Sequence, residues 1–184
     1  MRQGTGPLRD YLIGLGVWDG AFPIPGRPAI EMLAEQGALG PRALLVHAIH
    51  LEPGAMARVA RSGASVCLCP RSNAFLGLPP APVEALENAG VQLCLGTDAR
   101  ASNEDLSVWA EMRALAALAP GIPAQRILEM ATTAGARALG FEGLAGTIRI
   151  GDRSPLVAVR MEAEEGDPFR ALLARGVEDA LLPL

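Results

Sequence analysis

Two histidines, one aspartate and a few small polar residues stand where a chain of apolar runs could set them to chemical work. His47 lies inside the run at residues 43–49, and His50 follows three positions later. Ser72 and Asn73 come just after the run at residues 65–69. Asp98 stands in Gly96-Thr97-Asp98, directly after the run at residues 91–95, with Ser102 and Asn103 close behind. An imidazole can orient or pass a proton and a carboxylate can accept one, and both are ligand types that zinc takes. Each residue also has a plainer reading. Asp98 could cap the segment that follows it, His47 could be a satisfied core histidine, and Ser72 and Asn73 could be loop or capping residues. His50 has the opposite pleat parity to His47, which reads as structural. A catalytic metal takes three protein ligands and an open position. One Asp and one His fall short of that, and no H-x-H, H-E-x-x-H or cysteine-rich cluster supplies the rest.

The elements that would position these residues alternate along the chain. Helical patterns are expected at residues 7–14, 28–35, 53–61, 82–88, 123–139 and 168–175, with Gly37, Gly63, Gly90 and Gly140 as stops. Between them lie the short apolar runs at residues 43–49, 65–69 and 91–95, with residues 70–73 reading as loop. A further helix is expected from Ser102 or Asn103 to about Leu118, with Asp105 in an imperfect capping box and Leu106, Trp109 and Met112 on its inward stripe. Residues 146–150 and 156–159, flanking Gly151-Asp152-Arg153, read as a hairpin. Short apolar strands separated by helices imply βαβ units, a parallel sheet and an α/β fold, in which chemistry gathers at the carboxyl ends of strands.

Composition narrows the function. Half of the residues are apolar and 20% are charged, which excludes disorder. No stretch approaches the roughly 18 consecutive apolar residues of a membrane helix, and the first residues lack a secretory h-region, so the expected setting is cytoplasmic, away from membrane. All 16 basic residues are Arg. Without Lys there is no Schiff base, no Walker A loop and no carbamylated-lysine metal bridge within this chain. With net charge -4 and scattered arginines, nothing points to nucleic acid. Cys67, Cys69 and Cys94 are too few for a disulfide framework and read as small buried hydrophobes.

Several longer stretches carry a resemblance. Leu44-Leu45-Val46-His47-Ala48-Ile49-His50-Leu51, Cys69-Pro70-Arg71-Ser72-Asn73-Ala74-Phe75-Leu76-Gly77 and Gly96-Thr97-Asp98-Ala99-Arg100-Ala101-Ser102-Asn103 are followed by Glu111-Met112-Arg113 and by Ala131-Thr132-Thr133-Ala134-Gly135-Ala136-Arg137-Ala138-Leu139-Gly140. In order and spacing these resemble the second half of an amidohydrolase-superfamily enzyme. The branch they resemble is that of chlorohydrolases and of S-adenosylhomocysteine, methylthioadenosine and aminodeoxyfutalosine deaminases. The similarity covers roughly residues 40 to 160.

The resemblance implies a partial (β/α)8 TIM-like barrel, with the three strands here similar to barrel strands six, seven and eight. It also implies a C-terminal β-hairpin from a small β-sandwich. Residues 1–142 would then be the barrel part, and residues 143–184 the hairpin and short helix. Asp98 would be the metal ligand that takes a proton from the metal's water, and His47 would orient the hydroxide or the group being hydrolysed. Substrate would meet His47, Asp98, Ser102 and Asn103. The implied cofactor is a divalent metal, zinc or else iron, and its binding needs ligands absent from this chain. The implied reaction is attack of metal-bound hydroxide on an adenosine-like or related amino-heterocycle, with loss of ammonia.

The family's H-x-H and its strand-five histidine and glutamate have no counterpart, so the chain is expected to begin just after that motif. Ser154-Pro155-Leu156-Val157 also replaces the usual Ala-Asp-Leu-Val. Three strands cannot close a barrel. The expected partners are therefore a small-molecule substrate and a missing N-terminal half or partner chain, with homo-oligomerisation left open. The alternative is a catalytically incomplete remnant or split subunit that acts only by association. Residues 1–39 carry no assignable motif.

Overall fold

The computed structural model describes residues 3–21, 23–151, 156–159 and 166–174, and the backbone of residues 181–183. It divides into two compact units, Met1–Gly40 and Pro41–Leu184. In the first, helix α1 (Pro7–Gly14) starts at a proline, which lacks the N–H that a first turn would leave unpaired, and α2 (Ala29–Glu35) follows Pro28 as its N-cap. Within that unit the Arg9 guanidinium lies over the Trp18 ring, 5.9 Å from its centroid.

The second unit is built on a parallel sheet in the order β1 (Leu44–Val46), β2 (Ser65–Leu68), β3 (Gln92–Leu95). Helix α3 (Pro53–Ser62) connects β1 to β2, and α4 (Pro70–Phe75) with α5 (Val83–Asn88) connects β2 to β3. After β3 come α6 (Val108–Leu118), α7 (Ala124–Ala131) and α8 (Thr133–Ala138), then β4 (Val157–Val159), α9 (Pro168–Ala174) and β5 (Leu181–Pro183). Leu45, Val66 and Leu93 share one row and one face, and Leu68 and Leu95 continue it. Val66 and Leu93 are 0% and 1% exposed, and with Leu115, Ile127 and Met130 from the helices they make the core. Leu44 and Val46 lie on the opposite face and are 37% and 48% exposed.

Two glycines carry structural work that the sequence alone leaves open. Gly63 ends α3 at φ +74°, a left-handed turn that a side chain resists. A Cβ at Gly96 would lie 2.7 Å from Cys67 Sγ, so only glycine lets β3 run that close to the sulfur.

The expected parallel strands are present, but several boundaries differ. The first strand stops at Val46, because His47 and Ala48 turn into the left-handed region at φ 70° and 53°. Residues 70–73, expected as loop, open the helix α4, with Pro70 at its first position and Ser72 and Asn73 buried by tertiary hydrogen bonds. The helix expected from Ser102 or Asn103 starts instead at Val108, where Ser107 Oγ accepts the Ala110 N–H at 3.1 Å. Ser102 and Asn103 are engaged elsewhere and cannot cap it. Leu106 is left outside the helix and exposed, and the inward stripe is Glu111, Met112 and Leu115.

The single helix expected over residues 123–139 breaks at Thr132, whose φ and ψ of -125° and -91° interrupt the turn. In the expected hairpin, residues 146–150 form no strand. Ile148 and Ile150 are exposed there, with no sheet surface to cover them. Val157–Val159 pairs antiparallel with Leu181–Pro183 instead. Residues 152–155 and 175 of those expectations lie outside the described residues.

Leu93 lies at the centre of the buried face, so Leu93→Ala removes packing that the surroundings cannot refill. Its expected cost is about 2–5 kcal/mol in urea denaturation of the full chain. A loss under about 1 kcal/mol would place Leu93 outside the core.

Candidate active site at the carboxyl ends of the strands

Parallel register brings the ends of β1, β2 and β3 to one edge of the sheet. Val46, Cys67 and Cys94 stand side by side, so His47, the first turn of α4 and Asp98 all emerge there. At the end of β1 the Ala48 N–H donates to the Val46 carbonyl at 2.9 Å, closing a three-residue turn around His47. The His47 N–H donates to the Cys67 carbonyl at 2.9 Å, which ties this turn to β2. At the end of β3, Asp98 also has a positive φ of 59°. Positive φ is uncommon for residues other than glycine and stores strain that packing must hold.

The side chains converge. His47 Nδ1 lies 2.9 Å from Asn73 Oδ1, and His47 Nε2 lies 3.7 Å from Asp98 Oδ2. Amide oxygen only accepts, so this contact puts the proton on Nδ1 and leaves Nε2 towards Asp98. Asp98 Oδ2 receives Ser72 Oγ at 2.7 Å and Ser102 Oγ at 2.9 Å, and the two hydroxyls are 2.9 Å apart. Each hydroxyl has a single proton. Either both protons go to the carboxylate, or one serine donates through the other, and in both cases Asp98 is the acceptor. The Asp98 carboxyl therefore lies below its ordinary value of 3.8. The Ser72 hydrogen bond is the largest cause, then Ser102, with the Ala99 N–H and His47 adding to it. His47 and Asp98 side chains are each about a third exposed, at 33% and 32%, so a small molecule can reach both.

A second layer holds the first. Asn103 Nδ2 donates to the Thr97 carbonyl at 2.9 Å and to Glu111 Oε1 at 2.6 Å. Glu111 Oε2 accepts the Arg71 N–H at 3.0 Å. Arg71 in turn pairs with Asp105 and has Glu104 and Glu111 within 3.9 Å. Burial pushes the Glu111 carboxyl above its ordinary range, while the Arg71 N–H, the Asn103 amide and the Arg71 guanidinium oppose that shift. Cys67, Cys69 and Cys94 are free thiols; Cys69 and Cys94 are buried and Cys67 is partly exposed.

Of the residues singled out in the sequence, the structure brings His47, Asp98, Ser102 and Asn103 together. Ser102 and Asn103 are buried and turned onto Asp98, Thr97 and Glu111. Ser72 and Asn73, readable as ordinary loop residues, are the direct partners of Asp98 and His47. Glu111 escaped notice as a site residue. Its readable signal is a carboxylate one turn before Leu115 on a helix face that otherwise buries Met112 and Leu115. His50 is exposed. Among the described residues, no group of three or more His, Cys, Asp or Glu could hold a metal ion. None of the described helices is long and apolar enough to cross a membrane.

Comparison with known proteins agrees in family and architecture. The model of the amidohydrolase family matches residues 28–177. A 5-methylthioadenosine/S-adenosylhomocysteine deaminase of Halobacterium salinarum is 41% identical over 150 residues, covering 78% of this chain and 34% of that protein. An aminodeoxyfutalosine deaminase of Deinococcus radiodurans is 37% identical over 145 residues, covering 76% and 35%. The crystal structure of an adenosine deaminase from Xanthomonas campestris with bound zinc superposes with a TM-score of 0.79 at 32% identity, covering 86% of this chain and 39% of that one. The chain thus spans about a third of the length of these curated relatives.

The depressed Asp98 value has a sign that can be measured. Its contribution to stability is present above pH 3.8 and is lost as pH falls through the folded value. Solvent keeps that contribution small. Ser72→Ala removes the largest cause, so the Asp98 carboxyl should titrate closer to its ordinary value in carbon-13 NMR. An unchanged titration would show that Ser72 does not hold the charge.

Proposed function

The chain belongs to the amidohydrolase family, and from that premise we propose that it is the carboxyl-terminal part of a metal-dependent hydrolytic deaminase acting on an adenosine-like amine. One observation carries the proposal: an ionised carboxylate, Asp98, is held by two serines with the His47 Nε2 turned to the same open space. The names of the Halobacterium and Deinococcus relatives supply the substrate class, a small amino-heterocycle.

In this reading water adds to the ring carbon that bears the amino group, and that nitrogen leaves as ammonia. Asp98 takes a proton from the attacking water at a carboxylate oxygen and returns it to the departing nitrogen, so that the amino group leaves as neutral ammonia and the carboxylate is restored. His47, fixed by Asn73 at Nδ1, uses Nε2 to orient the water or the group being displaced. Ser102 and Asn103 stand on the substrate side by resemblance and act there through Asp98 and the Thr97 carbonyl. A divalent metal, when bound, brings the pKa of its water down to about 7. Asp98 is of the ligand type zinc takes, and zinc is the favoured ion over iron because of the zinc-bound Xanthomonas structure. The described residues supply too few ligands to hold it alone.

The strands β1, β2 and β3 would be barrel strands six to eight within residues 1–142, and residues 143–184 would belong to an accessory sandwich. The remaining ligands and strands come from an N-terminal half or partner chain, so this chain alone is inactive. Its three free thiols suit a cytoplasmic setting. The incomplete ligand set also favours a second reading, in which the chain is a remnant or split subunit that acts only by association.

A chimera joining the N-terminal part of the Halobacterium salinarum relative to this chain tests both readings through ammonia release from methylthioadenosine, S-adenosylhomocysteine and adenosine. Release is expected, and Asp98→Asn is expected to lower it by about 10²–10⁴-fold, the range of general-base catalysis. His47→Asn should impair turnover with less loss of metal. No release from an assembled chimera would favour the association reading. A loss within about a factor of 3 for Asp98→Asn would remove Asp98 from the reaction. For the chain alone, elemental analysis after purification without chelator should find zinc well below one equivalent. A stoichiometric metal would reveal further ligands.

A further inference from the structure

Glu111 is fully buried and its two oxygens answer to two different segments. Oε2 accepts the Arg71 N–H in the first turn of α4, and Oε1 accepts Asn103 Nδ2 in the loop after β3. The residues next to those anchors hold the reacting pair. Ser72 and Asn73 follow Arg71 and bond Asp98 and His47, while Ser102 precedes Asn103 and bonds Asp98. A buried carboxylate is costly unless its acceptors are met. Here only a carboxylate can accept on both sides, because an amide at this place would turn an N–H against one of the two donors. Arg71 Nη1, 3.9 Å away, gives the carboxylate a counter-charge.

We propose that Glu111 is a positioning residue that clamps the start of α4 to the loop after β3 and thereby sets His47 and Asp98 in their mutual geometry. The catalytic meaning of this clamp rests on the reading of His47 and Asp98 given above. The clamp itself belongs to this chain and needs neither metal nor substrate.

Nitrogen-15 NMR of the full chain tests it, with His50→Asn used to assign the His47 signals. In the unsubstituted chain His47 should carry its proton on Nδ1, donated to Asn73. In Glu111→Gln the clamp loses one acceptor, and the His47 signals should move to a mixture of tautomers. Circular dichroism checks that the variant is folded. Burial that served stability alone would lower the melting temperature and leave the tautomer unchanged. A folded Glu111→Gln with unchanged His47 signals overturns the proposal, as does a His47 protonated on Nε2 in the parent.

If Glu111→Gln does not fold, Asn103→Ser decides by the same readout, since it cuts one side of the clamp and leaves the carboxylate in place. In the chimera, Glu111→Gln should lower kcat by about 10²-fold, the effect of small misplacements, with KM little changed. An unchanged kcat would defeat the clamp even with ammonia release intact. Absent release would leave the NMR result standing on its own.

Discussion

Parallel pairing in register is the constraint on which the site depends. Because Val46, Cys67 and Cys94 form one row, whatever follows each strand emerges at the same edge. A shift of one residue in any strand would turn its inward side chains to the other face. Val66 or Leu93 would leave the core, and His47 and Asp98 would part. The apolar face therefore does two things at once, since the burial that stabilises the sheet also fixes the distance between an imidazole and a carboxylate.

That edge is held under tension. His47, Ala48 and Asp98 all take left-handed backbone, at an intrinsic cost of about 1–2 kcal/mol each. Such conformations persist only where surrounding bonds over-determine them. Here the His47 N–H on the Cys67 carbonyl, the Asn73 contact and the two serines on Asp98 provide those bonds. The same bonds hold the His47 imidazole and the Asp98 carboxylate in place.

Much of this was legible in the residues. Apolar runs after Pro- and Gly-punctuated helices located the three parallel strands, and reading along the strand ends put His47 and Asp98 at one edge of that sheet. What escaped depends on tertiary bonds. Ser72 and Asn73 are weak helix formers, and they sit in α4 because Asp98 and His47 hold their side chains. Ser102 has the chemistry of an N-cap, but Asp98 takes its hydroxyl, so the next helix waits for Ser107. Placing that helix start five or six residues early also drew its expected face to Leu106, Trp109 and Met112. Glu111, noted within the stretch Glu111-Met112-Arg113, was thereby left off the inward face.

The half-exposed Leu44 and Val46 make β1 more than a boundary of the described sheet. A strand with apolar side chains at the margin of a sheet offers a template to any other strand that arrives. Capture by copies of the same chain is second order in concentration, whereas a strand tethered to the same chain competes at an effective concentration independent of dilution. Dilution therefore suppresses pairing between identical chains at this edge, and crowding promotes it.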